Sequence, residues 1–422
     1  MSGHASGIAT GVAKTKPGSL GWRGTWLAAV QVVRLVTLVV VAGCAGAPLA
    51  RDAGQDAAPA TAPDAATADA SPTAGCPVPT AIDPTTAREL VFAGDPGAAL
   101  GSFDPSVVYP GDATGGAMAY SAVPDQHSIR TRLAVSSDHG ANWTYVAEAN
   151  QPEAATIASS DALDCPTGSC TGFLISEVPS LVFDADDPVP SRRWKLFTHR
   201  YLVSATNQLH YQLGTIALQT AGSPAGPWTA PAKLIGWQSP SAYSSTGIVT
   251  NVNTLPGDQD CLTLTEPGAL WLPGTLELAM GCVYLDGTTP RIRVILVRSV
   301  DHAASWSAVA TLLTPADSGC LVPGGSINAP DLFVAGGKEY ISATSGLPDG
   351  TYRGCAIYPI DDPVTGAVHR DASGHAVPVR TMAAPQFSGA CTFAEGSGYL
   401  LDIGLFGQPR PFRIFYGPST GP

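Results

Sequence analysis

Charge is scarce in this sequence, at 13% of 422 residues, and cationic charge is scarcest, with 22 Lys+Arg against 34 Asp+Glu. A surface so poor in cations has little with which to hold a phosphate backbone, which argues against nucleic acid as a partner. Long uncharged apolar runs are also missing. The one stretch near the roughly 18 residues that a membrane span requires, Trp26 to Gly43, is interrupted by Arg34, so the chain is not expected to cross a bilayer. No two cysteines stand two residues apart, which removes the usual spacing of a structural zinc site. What is plentiful is glycine and proline, 46 and 37 residues, beside an apolar fraction of 45%. That balance describes many short elements joined by tight turns and predicts an all-β protein.

The N-terminal apolar run still carries information. Leu35 to Gly43 is a short h-region that ends in small residues before Cys44. Val41-Ala42-Gly43-Cys44 resembles a bacterial lipobox, a resemblance that implies cleavage before Cys44, lipidation of its thiol and residues 1–43 as the signal peptide. The stretch before the apolar run is long for an n-region, and a start at Val33 would give a more compact signal. Residues 44–75, rich in Ala, Asp, Pro and Thr and free of aromatics, cannot bury enough surface to offset chain entropy and read as a disordered tether. Residues 1–43 hold four basic and no acidic residues, so the chain after cleavage keeps 18 Lys+Arg against 34 Asp+Glu. Ala45 is not the aspartate that retains enteric-type lipoproteins on the inner membrane. The expectation is a monomer in the bacterial cell envelope, held to the membrane through Cys44, with the outer membrane favoured.

Setting Cys44 aside leaves an even set of eight cysteines in an exported chain, which reads as disulfides with 105 possible pairings. Spacing favours Cys165 with Cys170, Cys261 with Cys282 across a hairpin, and Cys320 with Cys355 inside one repeat. Cys76 and Cys391 are then left for each other.

From residue 100 a unit returns about every 60 to 90 residues, the signature of a solenoid or propeller. Its openings are Phe103-Asp104-Pro105-Ser106, Glu177-Val178-Pro179-Ser180, Thr265-Glu266-Pro267-Gly268, Asn328-Ala329-Pro330-Asp331 and, without the proline, Ala390-Cys391-Thr392. Strand signals separated by Gly, Pro, Asp or Asn follow each opening, four to a unit, as in a propeller blade. Residues 76–422 are therefore expected to form a five-bladed β-propeller with four-stranded blades. The last unit has room for three strands before Pro422, and Arg88 to Ala93 supplies the fourth, so that the N-terminal strand closes the last blade. A Cys76–Cys391 bond would lock that closure. Proline in the opening strands fits an innermost edge that lines a central channel.

Ser136-Ser137-Asp138-His139-Gly140-Ala141-Asn142-Trp143 has the spacing of the Asp-box turn found in sialidase-like propellers, and Ser299 to Trp306 is a second copy with Ala303 in place of glycine. In those families such turns lie on the outer rim, so the motif reports fold and not catalysis. Asp138 is expected to accept turn N–H groups, Gly140 to supply a positive φ and Trp143 to pack under the hairpin. The arginine cluster and R-I-P motif of sialidases are absent; Phe412-Arg413-Ile414 stands at the wrong end and lacks the proline.

Asp104-Pro105-Ser106-Val107 resembles the opening of the five-bladed glycoside hydrolases of family 43 and its relatives, which act on arabinose, xylose or fructose units, and Ser223-Pro224-Ala225-Gly226-Pro227-Trp228 resembles a turn common among them. The resemblance implies Asp104 as general base and Glu266 as general acid, with a second-blade carboxylate tuning them. Glu266 sits in Glu-Pro-Gly where the family has Glu-Gly-Pro. In the second unit Val178 holds the aligned place and Glu177 stands one residue earlier, where strand alternation turns it away from the channel. His199, Arg200, Asn328, Glu395 and Trp271 are the candidates for binding substrate, with Tyr109 and Tyr243 as further stacking aromatics. Asp184-Ala185-Asp186-Asp187 offers oxygen ligands to a calcium ion, the one cofactor considered. Two functions are compatible with this pattern: an exported carbohydrate-active glycoside hydrolase using an Asp/Glu pair, or a non-catalytic glycan- or protein-binding lipoprotein on the same scaffold.

Overall fold

The computed structural model describes residues 75–111, 114–125, 128–162, 164–347 and 350–422. Cys44, the signal segment and the tether up to residue 74 lie outside the described residues. None of the described helices is long and apolar enough to cross a membrane.

The described chain is all-β, with only short 3-10 turns between strands. It is organised as antiparallel four-strand units. The first comprises Gly101–Val108, Gly116–Asp125, Ser128–Ser136 and Trp143–Glu148. The second comprises Ser169–Phe183, Trp194–Ser204, Leu209–Ala221 and Ala232–Gly236. Thr263–Leu272, Thr275–Asp286, Thr289–Ser299 and Ser307–Leu313 make the third. The fourth runs Ser326–Ala335, Lys338–Gly346, Tyr352–Asp362 and Arg380–Ala383. One strand escaped the sequence pattern: Glu153–Ala158 pairs with the long N-terminal extension of the second unit's opening strand.

The fifth unit has the three expected strands, Phe387–Ala394, Gly398–Gly404 and Phe412–Tyr416. Its fourth comes from the N-terminal side: the Leu90 N–H donates to Ile414 O at 2.8 Å and the Tyr416 N–H to Arg88 O at 2.9 Å. Phe92–Ala93 then leaves that unit and pairs in parallel with Trp143 and Thr144 of the first. The segment expected to complete the last unit thus also ties it to the first. Each opening strand packs on that of the next unit, and the fifth packs on the first. Apolar faces between successive units make the core, as where Leu278, Met280, Ile295 and Val297 meet Phe197, Ile216 and Trp237.

Two of the four expected disulfides form, Cys165–Cys170 and Cys261–Cys282. The other two are exchanged: Cys76 bonds Cys320 and Cys355 bonds Cys391. The reason lies in where the N-terminal segment runs. Thr80–Ala81 pairs in parallel with Met382–Ala383 on the outer edge of the fourth unit. This carries Cys76 to the 3-10 turn Pro315–Cys320 that leads into that unit. Cys391 lies on an inner strand, where the third strand of the neighbouring unit brings Cys355 to a Cα distance of 6.1 Å.

The two Ser-x-Asp turns share one geometry. Asp138 Oδ1 accepts the Asn142 N–H at 2.9 Å, and Asp301 Oδ1 accepts the Ser305 N–H at 2.8 Å. Gly140 and Ala303 hold φ values of +74° and +76°, so the second copy keeps the left-handed position without the glycine that suits it.

Candidate functional site

All five opening strands carry a bulge at the same place. The register slips between Phe103 and Ser106, Glu177 and Ser180, Thr265 and Gly268, Asn328 and Asp331, and Gly389 and Cys391. At each slip one residue has a positive φ: Asp104 at +53°, Val178 at +48°, Glu266 at +47°, Ala329 at +46° and Ala390 at +34°. Side chains in this region of φ are disfavoured, so something must hold the backbone there. In four units it is a hydrogen bond to the preceding unit. The Val178 N–H donates to Ser121 Oγ at 3.1 Å, Ala390 N–H to Thr344 Oγ1 at 2.7 Å and Asp104 N–H to Asp402 Oδ2 at 2.6 Å. Ser121, Thr344 and Asp402 occupy one register position, paired with Phe103, Asn328 and Gly389 respectively. In the third unit that position is Gly281, where a Cβ would strike Asn328 and Thr265. There the Ala329 N–H donates to the side chain of Glu266 instead, at 2.8 Å to Oε2.

The bulge overturns one expectation from strand alternation. Two bulged residues oppose one on the partner strand, so the alternation of faces is broken at that point. Glu177 therefore does not turn away. It lines the same cavity as Asp104, Glu266 and Asp402, together with Tyr211, Tyr352 and Phe387.

Four carboxyl groups in one cavity, with no counter-cation bonded to any of them among the described residues, must retain protons. Burial holds Asp104 well above the usual carboxylate range, and the nearby Asp402, Glu177 and Glu266 add to the effect. Burial likewise holds Asp402 well above its ordinary value. Glu177 is pushed up to about 7 by burial, against the opposing hydrogen bond from Tyr201 Oη at 2.7 Å. Glu266 is also pushed up to about 7 by burial, opposed by donors from Tyr352 and Ala329. Tyr352 Oη lies 3.1 and 3.2 Å from the two Glu266 oxygens and receives the Asn328 Nδ2 donor at 3.0 Å. Arg413 is the one cation among the described lining residues, and it donates to Glu89, Arg410 O and Pro409 O. The cavity is narrow, about 30 Å³ in volume. At about 10–15 Å³ per water, that is room for about two.

The remaining candidates scatter. Asn328 belongs to the site through Tyr352. His199 is buried beside it, its ring 4.7 Å from Tyr201, 5.3 Å from Tyr211 and 6.5 Å from Trp237, and burial pushes it down to about 3, so it is neutral. Arg200 faces the other way, where it pairs with Glu153 and donates to Ser176 Oγ at 3.4 Å. Tyr243 lies outside the cavity too, with the Lys233 ammonium 3.6 Å from its ring centre. Trp271, Glu395 and Tyr109 line a separate cavity formed by the C-terminal halves of the opening strands. At the Asp184–Asp187 turn considered for calcium, a lysine stands among the carboxylates. Lys195 Nζ, fully buried, stands 2.7 Å from Asp187 and 3.4 Å from Asp184, and His302 Nδ1 is 2.9 Å from Asp184. The lysine supplies the cation that those carboxylates require, while Asp186 accepts the Gly274 N–H at 2.8 Å.

Sequence reasoning missed Asp402, Tyr201 and Tyr352. For Asp402 the signal was present: it is the single charge in the otherwise apolar strand Gly398–Gly404. Tyr201 directly follows the candidates His199 and Arg200, whereas Tyr352 carried no signal beyond its place in an ordinary strand.

No family model matches the chain, and no curated protein does. Solved structures do. The chain is similar to a Bombyx mori GH32 β-fructofuranosidase at 14% identity and a TM-score of 0.45, over 75% of this chain and 59% of that one. It is similar also to the catalytic domain of a Coprinopsis cinerea GH62 α-L-arabinofuranosidase, at 14% identity and a TM-score of 0.44, over 78% and 93% of the two chains. A third, an endo-arabinase from Bacteroides thetaiotaomicron, has 14% identity and a TM-score of 0.43 over 78% and 98%. The chain thus spans less than two thirds of the first of these.

Proposed function

We propose that the units are the five blades of a β-propeller, that this propeller is an exported glycoside hydrolase, and that its acid and base are Asp104 and Glu266. The observation that carries the reading is positional: Asp104 and Glu266 occupy the same bulge in two different opening strands and share one buried cavity. Glycosidic hydrolysis needs one protonated and one ionised carboxyl beside the bond, with environments that separate their proton affinities. Glu266 has two strong donors, Ala329 N–H and Tyr352 O–H, which favour its ionised form. Asp104 has a weak one, Ser121 Oγ at 3.4 Å, and three neighbouring carboxyls. This allots the base to Glu266 and the proton to Asp104, the reverse of what the resemblance to family 43 implies. Asp104 protonates the leaving oxygen as the C–O bond breaks, while Glu266 takes the proton of the attacking water. Glu177, held by Tyr201, lowers the tendency of Asp104 to ionise. In the envelope, lipidation of Cys44 and the tether would hold the propeller to the membrane, outer membrane favoured, with a carbohydrate as its ligand.

One observation favours a second reading, a glycan-binding propeller without turnover: the cavity has room for only about two waters, far less than a sugar ring fills. The experiment offers the purified protein aryl α-L-arabinofuranoside, aryl β-D-xyloside and sucrose. Hydrolysis of one of them, reduced about 10²-fold or more in Asp104→Asn and Glu266→Gln, supports the enzyme. Its rate should rise with pH through about 7, as Glu266 loses its proton; a rate that falls there restores the roles implied by the family. Retained binding of an arabino-oligosaccharide without turnover supports the second reading.

A further inference from the structure

The cavity that holds Trp271 and Glu395 is larger than the acid site, about 470 Å³ against about 30 Å³. It is built by the parts of all five opening strands that follow the bulges, whereas the acid site is lined by the parts that lead into them. Its lining includes Tyr109, Phe183, Trp271, Phe333 and Phe393 and the acidic residues Asp331 and Glu395, the second of which accepts the Gly336 N–H at 2.9 Å. Tyr109, Phe183 and Trp271 are half-buried. Among the described residues, the lining contains no Lys, Arg, His, Asn or Gln.

That inventory is selective. A sugar presents hydroxyls that both donate and accept, and this lining offers its side-chain acceptors almost without matching donors. An anion would meet two carboxyls and no cation. A protonated amine on an apolar body satisfies both halves of the surface, since the ammonium is attracted by carboxylates and by the faces of aromatic rings, and the body replaces water on apolar side chains. We propose that this second mouth binds a small organic ammonium ion, with Asp331 and Glu395 as its charge partners and Trp271 as its principal aromatic wall. The site is independent of whether the acid cavity is catalytic.

Phenethylamine and its neutral analogue 2-phenylethanol test this by isothermal titration calorimetry on the full protein. The titration is run at pH 8, above the value of about 7 to which burial pushes Asp331. The amine should bind at least tenfold more tightly than the alcohol. Asp331→Asn and Glu395→Gln should each weaken the amine at least fivefold without changing the alcohol, and Glu266→Gln should leave the amine unchanged. Using two carboxyl variants guards against one failing to fold. Equal binding of amine and alcohol, no effect of either carboxyl variant, or loss of the amine in Glu266→Gln, which would place it in the acid cavity, overturns the proposal.

Discussion

Asp402, on the second strand of the fifth unit, accepts the backbone N–H of Asp104, on the first strand of the first unit, at 2.6 Å. Ser121 and Thr344 do the same work at the equivalent positions of other units, so Asp402 is a carboxyl in a place where a hydroxyl suffices. A charged acceptor there holds the positive φ of Asp104 and also adds a neighbouring carboxyl that keeps the Asp104 proton on. Asp402→Ala leaves a buried N–H unpaired and should cost about 1–3 kcal/mol in denaturant unfolding, while Asp402→Asn, which keeps an acceptor, should recover most of it.

Glu177 makes stability depend on pH in a direction opposite to that of a salt-bridged acid. Its folded value of about 7 lies above the ordinary 4.5, so the folded state holds a proton that the unfolded chain releases between these values. Its contribution is therefore fully present below about 4.5 and is lost as pH rises towards 7. Glu177→Gln should gain about 2–3 kcal/mol at pH 8 and nothing at pH 4, as read from unfolding midpoints at the two pH values.

Lys195 pairs with both Asp184 and Asp187. Lys195→Met would remove the one buried cation from Asp184 and Asp187, leaving Arg192 Nε 3.6 Å from Asp187, and should destabilise the protein by about 3–5 kcal/mol. Calcium added to the wild-type protein should leave the thermal midpoint unchanged, because the ammonium already sits 2.7 Å from Asp187.

Ala303 holds the position that Gly140 fills in the first copy of the turn, at φ +76°. A left-handed alanine costs about 1–2 kcal/mol, part of which glycine gives back in unfolded-chain entropy. Ala303→Gly should therefore stabilise by roughly 0.5–1 kcal/mol in equilibrium unfolding. The reverse change, Gly140→Ala, should destabilise, since its Cβ would lie 2.6 Å from Ser397 Cβ and 2.7 Å from Tyr109 Oη.

Periodic features were legible in the sequence. The recurring opening with proline located four of the five inner strands, Arg88 to Leu90 was recognisable as the strand missing from the last unit, and the Ser-x-Asp turns fell where their spacing puts them. What was not legible depends on departures from period two and on contacts between units. The bulge brings Glu177 into the cavity against its alternation, and a bulge leaves no mark in composition beyond the X-Pro pair itself. Asp402 reaches Asp104 across 298 positions of sequence, and Cys76 reaches Cys320 across 244. Pairing by nearness in sequence cannot find such partners when the N-terminal segment runs along the fourth unit. His199 and Arg200 were placed together in the sequence and lie on opposite faces of one strand, as alternation requires.

The most direct measurement is the titration of the side-chain carboxyl carbons by ¹³C NMR, with Asp104→Asn, Glu177→Gln, Glu266→Gln and Asp402→Asn used for assignment. Glu177 and Glu266 should titrate near 7, and Asp104 and Asp402 should resist ionisation well above the ordinary carboxylate range. Removal of Asp402, Glu177 or Glu266 should lower Asp104, and removal of Glu266 should lower Glu177, because each is raised by those neighbours. Four independent titrations between about 4 and 5, the range of unperturbed Asp and Glu, would contradict the account.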